Sequence, residues 1–104
     1  MDFKEKLEHT RHNLTGCSKV KIALDLVWQE RLRQINKWGH QTHDDPRWIT
    51  ILTEEVGEAA AEVCTHLESG MEGEEYIMKL MDELLQVAAV AVAHVEHLME
   101  RYDA

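Results

Sequence analysis

Two segments of this chain carry glutamates on faces where helical periodicity otherwise places apolar side chains. One reads Glu54-Glu55-Val56-Gly57-Glu58 and continues to Glu62; the other reads Asp82-Glu83-Leu84-Leu85-Gln86. Take a helical wheel of about 100° per residue, with Glu55 at zero. The apolar sector of the first segment then holds Trp48, Ala59, Leu52, Val63, Val56, Ile49 and Leu67, from roughly +20° to +120°. Ile51 falls near about −40°, Glu62 near about −20° and Glu58 near about −60°. Glu55 and Glu62 thus lie inside the arc expected to be buried, Glu58 at its rim, and Glu54 outside it. With Glu83 at zero on the second segment, Tyr76, Val87, Leu80, Leu98, Ala91 and Leu84 span roughly +20° to +100°. Val90 lies near about −20°, so Glu83 is within the apolar face, with Gln86 near about −60° and His94 near about +20°. Asp82, near about −100°, is expected to be more exposed.

An ionised carboxylate alone in an apolar interface costs several kcal/mol. Such groups are found paired, protonated or bound to a metal. Lys79 is the main candidate counter-ion, and one lysine cannot neutralise three or four glutamates. Hard oxygen donors, with no Cys or His at ligand spacing, suit Mg²⁺, or Mn²⁺ as a substitute. The chemistry expected of Glu55, Glu58 and Glu83 is therefore metal binding, with Glu62 in reserve. Glu54, Glu68, Asp82 and Glu100 read as solvated charge flanking a core.

The elements that must position these groups are helices. Ser18 reads as an N-cap for a helix over 19–38 that Gly39 ends. Its apolar positions Ile22, Leu26, Leu32 and Ile35 fall close to helical spacing. Asp45-Pro46 reads as an N-cap followed by proline in the first turn, opening a helix over 46–68 that Ser69-Gly70 stops. A last helix over 74–102 would be roughly 40 Å long, more than a compact domain of this size is wide. Residues 1–17 read as a short polar helix or an arm. The stretch from Val87 to Ala93 is apolar all round, and such a helix is surrounded by protein. One chain supplies too few helices to surround it, so the expected architecture is an all-α antiparallel bundle assembled as a homodimer or homotetramer.

Composition agrees. The chain has 104 residues, room for one domain over 1–104. Its 44% apolar and 30% charged residues are a globular balance. A net charge of −9 leaves no basic patch for nucleic acid. The longest apolar run is too short to span a bilayer, and MDFKEKLEHTRHN lacks the apolar core of a signal peptide. Cys17 and Cys64 form no disulfide framework, so a cytoplasmic setting is expected. Trp38, beside Lys37, offers an aromatic face for a base, with Lys37 or Arg33 near a phosphate. His94 is placed either to meet a ligand or a partner subunit, or to be satisfied in the core.

Glu54-Glu55-Val56-Gly57-Glu58 resembles the EExxE motif of the MazG-like all-α nucleoside triphosphate pyrophosphohydrolases. Asp82-Glu83-Leu84-Leu85-Gln86 resembles the ExxD motif that follows it there, with the last position changed. Gln34-Ile35-Asn36-Lys37-Trp38-Gly39, leading to Trp48-Ile49, resembles the first helix and loop of small, often phage-borne members. The likeness covers residues 28–98. It implies a helical oligomer in which Glu55, Glu58 and Glu83 hold Mg²⁺ on a nucleoside triphosphate. Hydrolysis then gives the monophosphate and pyrophosphate. Lys37, Trp38, Lys79 and His94 are the expected substrate contacts. The departure is Gln86, which offers one carbonyl oxygen but neither charge nor a base; this leaves open a weaker ligand, the loss of one metal of a pair, compensation by Glu62 or Asp82, or low or absent activity. Two alternatives stay open: a non-catalytic oligomeric module that binds nucleotide or a protein, and a phosphoribosyl-ATP pyrophosphohydrolase.

Overall fold

The computed structural model describes residues 2–70 and 73–104. Four helices follow one another: α1 Phe3–Asn13, α2 Lys19–Trp38, α3 Asp45–Ser69 and α4 Glu74–Asp103. No strand occurs among the described residues, and the fold is all-α. Among the described residues no helix is long and apolar enough to cross a membrane.

Local chemistry sets the boundaries. The Ser18 side chain accepts from Lys21 N–H, and α2 closes at Gly39, whose N–H donates to the Ile35 carbonyl. Gly39 has φ 72°, a backbone state that favours glycine. The α3 cap differs from expectation by one residue: Asp44, not Asp45, accepts from Arg47 N–H, at 2.9 Å. The reason lies across the fold. Asp45 instead accepts from Arg101 at 2.7 Å and pairs with His94 Nε2 at 2.9 Å. It thereby ties the start of α3 to the end of α4. Residues expected to form a short helix or an arm form α1, capped by Asp2. Thr10 is buried there and accepts from Gln29 of α2 at 2.8 Å.

α4 is the spine. It packs against α3, α2 and α1, whereas α2 and α3 have no Cα atoms within 8 Å of each other. At about 1.5 Å per residue its 30 residues match the long dimension of the molecule, 47 Å. The radius of gyration is 15.3 Å, against about 13 Å for a compact chain of this length. Trp48, Val90 and Ala93 form the core, with Ile51 and Leu52 against them, and Ala89 is fully buried.

The buried faces are rotated from those expected. On α3 the far edge of the apolar arc, Ile49, Val56 and Leu67, is exposed, while Trp48 and Ala59 are buried and Ile51 half-buried. Glu55 and Glu62 therefore sit near the middle of the packed face. On α4 the buried residues are Ala89, Val90 and Ala93. They centre on the Gln86 side of Glu83, so Asp82 is half-buried, whereas Leu84 and Leu98 are exposed. On α2, Leu26 and Glu30 are buried while Leu32 and Ile35 are exposed. On α4 the cause is the stretch from Val87 to Ala93, which is apolar all round and so does not say which side the single chain covers.

Candidate metal centre and cleft

Glu55 and Glu58 lie one turn apart on α3, and Glu83 faces them from α4. One carboxylate oxygen from each lies within 4.8 Å of the others. Glu58 is exposed; Glu55 and Glu83 are half-buried. Oε2 of Glu55 and Oε2 of Glu83 are buried and accept no hydrogen bond among the described residues. Burial, and next the charge of Glu58, pushes the Glu55 carboxyl above the usual glutamate range. The same two causes, in the same order, raise Glu83. Two orphaned oxygens beside a third carboxylate are costly as they stand. A hard divalent cation would satisfy both, and the all-oxygen donor set fits Mg²⁺ or Mn²⁺. Gln86 follows Glu83 by one turn and lines a cleft next to Glu55. Glu62 is half-buried but not part of the converging trio.

The cleft is the gap between α2 and α3, floored by α4, with a volume of about 370 Å³. Its walls carry Arg31, Arg33, Trp38, Arg47 and Trp48, and Glu55 and Gln86 mark one end. No lysine lines it. Arg31 is a fixed part of the wall: its Nε and Nη2 donate to Glu96 at 2.8 and 2.7 Å, and its Nη1 donates to Gln34 at 3.0 Å. Arg33 donates through Nε to both oxygens of buried Glu30, at 2.7 and 2.9 Å. Arg31 and Arg33 from α2 and Arg47 from α3 thus share the cleft with Glu96 and Glu100 of α4, and Glu55 brings one carboxylate of the trio to it.

The expected substrate contacts divide. Trp38 lines the cleft. Lys37 does not; its ammonium lies over the Trp38 ring, 4.6 Å from the centroid. Lys79 pairs with Glu75 at 3.4 Å, away from the cleft. His94 bonds to Asp45 and stacks on Trp48 at 5.7 Å, which leaves it outside the cleft lining. Glu30, Arg31 and Arg47 were missed by sequence reasoning. Glu30 had a signal: it follows Leu26 by four residues, on the same stripe of α2. Arg33, expected near a phosphate beside Trp38, does line the cleft; Arg31 and Arg47 had no signal, because a wheel does not show that α2 and α3 stand apart.

Compared with known proteins, the chain matches no family model, no curated protein and no solved structure.

Proposed function

We propose that the protein is a Mg²⁺-dependent nucleoside triphosphate pyrophosphohydrolase of the MazG-like kind. It would convert an NTP or dNTP and water into the monophosphate and pyrophosphate. One observation carries this reading. Carboxylates from two helices converge within 4.8 Å, two of them with buried, unpartnered oxygens, and one of the three, Glu55, lines a cleft that also carries three arginines. Glu55, Glu58 and Glu83 would hold the ion, with Gln86 as a neutral neighbour. When bound, the ion supplies charge neutralisation on the phosphates and a more acidic water. Glu58 is the carboxylate in contact with solvent, which suits it to take the proton that water gives up. Trp38 offers the face on which a base can stack.

Gln86 favours a second reading, a non-catalytic nucleotide-binding module, because the position carries no charge. One assay separates the two. The protein is incubated with NTPs, dNTPs and phosphoribosyl-ATP plus Mg²⁺ or Mn²⁺, and pyrophosphate is measured. Turnover that collapses in Glu58→Gln and Glu83→Gln is the expected result; no turnover on any substrate would end the hydrolase reading.

The same reading includes a homo-oligomer. The exposed arc of α4 carries Ile77, Leu84, Val92, Val95, Met99 and Tyr102, and α3 exposes Ile49, Val56 and Leu67. Apolar stripes along two helices are what a second copy of the same bundle would cover. Sedimentation heavier than one 12.1 kDa chain is expected, and a clean monomer at all concentrations would refute it.

A further inference from the structure

Arg33 is held in an unusual way for an arginine on the wall of a cleft. Its anchor, Glu30, has a side chain only 6% exposed, whereas the Arg33 side chain is 44% exposed. Only Nε faces the anchor, and among the described residues neither Nη group has a partner. The guanidinium lies 5.9 Å from the Trp38 ring centroid. It is also within electrostatic range of Asp82 and Glu55. Arg33 therefore shares the cleft with Glu55 of the trio and with the aromatic face of Trp38, with two donor groups unspent. A free arginine in that position would be drawn onto Asp82 and Glu55, and would compete there with any cation. Glu30 prevents this by taking Nε from below. A buried carboxylate is costly unless it is paired, and this one spends its charge on fixing one guanidinium.

We propose that Arg33 is a phosphate-binding residue of the cleft and that Glu30 is its positioning residue. Glu30 keeps the Arg33 Nη edge on the path of a polyphosphate and off the carboxylates of the trio. The proposal rests on the reading of that trio as a metal–phosphate site. The ligand is a linear polyphosphate chain, and Arg33 would bridge two of its oxygens in a forked contact. Glu30 is already neutralised by Nε at 2.7 Å, so its own repulsion of the phosphate is small beside the loss of a misdirected guanidinium.

The test uses inorganic tripolyphosphate with Mg²⁺ as the probe, titrated calorimetrically into the full-length chain. Arg33→Ala should weaken binding by roughly tenfold to a hundredfold, the range for hydrogen bonds to charged groups. Arg11→Ala, which removes the same charge from α1, should change binding by no more than about twofold, as expected for a screened surface charge. Glu30→Gln should weaken binding several-fold in the wild-type background and have no further effect in Arg33→Ala. A residue that acts only through another must show that coupling. Unchanged affinity in Arg33→Ala would overturn the proposal. An equal effect of Glu30→Gln in both backgrounds would overturn the role of Glu30. Should Glu30→Gln fail to fold, as judged by its circular dichroism, Arg33→Lys replaces it. That variant keeps the charge and loses the fork, and full affinity would refute the forked contact. Nucleotide turnover by the wild type with unaltered Arg33→Ala affinity would remove the arginine and leave the hydrolase. Arg33-dependent tripolyphosphate binding without any turnover would do the reverse.

Discussion

Replacing Glu83 with glutamine should make the metal-free protein more stable and the metal-loaded protein less so. The carboxylate oxygens of Glu55, Glu58 and Glu83 lie within 4.8 Å of one another. Two unit charges at that distance repel by about 3.5 kcal/mol at an effective dielectric of 20 and by about 0.9 kcal/mol in bulk water. Glu58 is exposed, and partial protonation of the raised carboxyls trims the repulsion further. Removing one charge should therefore yield about 1–2 kcal/mol at neutral pH. For a chain of this length that is roughly 4–10 °C in melting temperature. Saturating Mg²⁺ reverses the order, since a ligand at a hundred times its Kd adds about 2.7 kcal/mol to the form that binds it. Thermal melts followed by circular dichroism, in EDTA and in saturating MgCl₂, should show the two curves changing places. If Glu83→Gln melts below the wild type in EDTA, the trio is not self-repelling and the reasoning fails. If Mg²⁺ leaves the wild type unmoved, the trio binds no Mg²⁺.

Three further outcomes follow from the same geometry. Glu55 and Glu83 titrate above the ordinary glutamate value of 4.5, so their ionisation costs stability above the raised values, and that cost fades as pH falls through them. Asp45 is lowered from 3.8, first by its hydrogen bond to His94 and then by that to Arg101; it contributes stability that is lost as pH falls below that value. The metal-free melting temperature should thus rise from neutral pH toward about 5 and fall below about 4, and a monotonic fall from neutral pH would contradict the raised pair. Gln86→Asp should lower the melting temperature in EDTA and tighten Mn²⁺ binding at least about tenfold, measured by calorimetry; unaltered affinity would place residue 86 outside the ion's reach. Asp45→Asn should speed amide exchange at the start of α3 and the end of α4, with the middle of α4 unaffected, because it removes charge from a group that bonds both His94 and Arg101; equal exchange in both proteins would show that the tie carries nothing.

The elements were legible where single residues punctuate the chain. Ser18, Gly39 and Gly70 mark ends by hydrogen bonds or backbone states that few other residues supply. The α3 start slipped by one residue because two consecutive aspartates can both cap. The wheel picked out Glu55, Glu58 and Glu83, and they converge, because helical periodicity alone decides which residues share a face. It did not supply the direction in which α4 faces its neighbours, since Val87 to Ala93 offers no polar side to orient by. It also could not supply the cleft, which exists because two helices are held apart. Lys79 and His94 were chosen for their angles, yet each is bound to a nearby acid, Glu75 and Asp45.

The separation of α2 from α3 has a consequence for how the molecule divides. Every member of the acid trio belongs to the α3–α4 hairpin, whose two arms are joined by a short link. Every arginine held by a carboxylate on the cleft wall belongs to α2, which touches α4 alone of those two. The acid trio and the two carboxylate-held arginines thus stand on different helices of the fold. α2 contributes no carboxylate to the trio, so a displacement of α2 would leave Glu55, Glu58 and Glu83 together. On the proposed reading, substitutions that reshape the wall on α2 would alter selectivity while leaving the hairpin's acids in register.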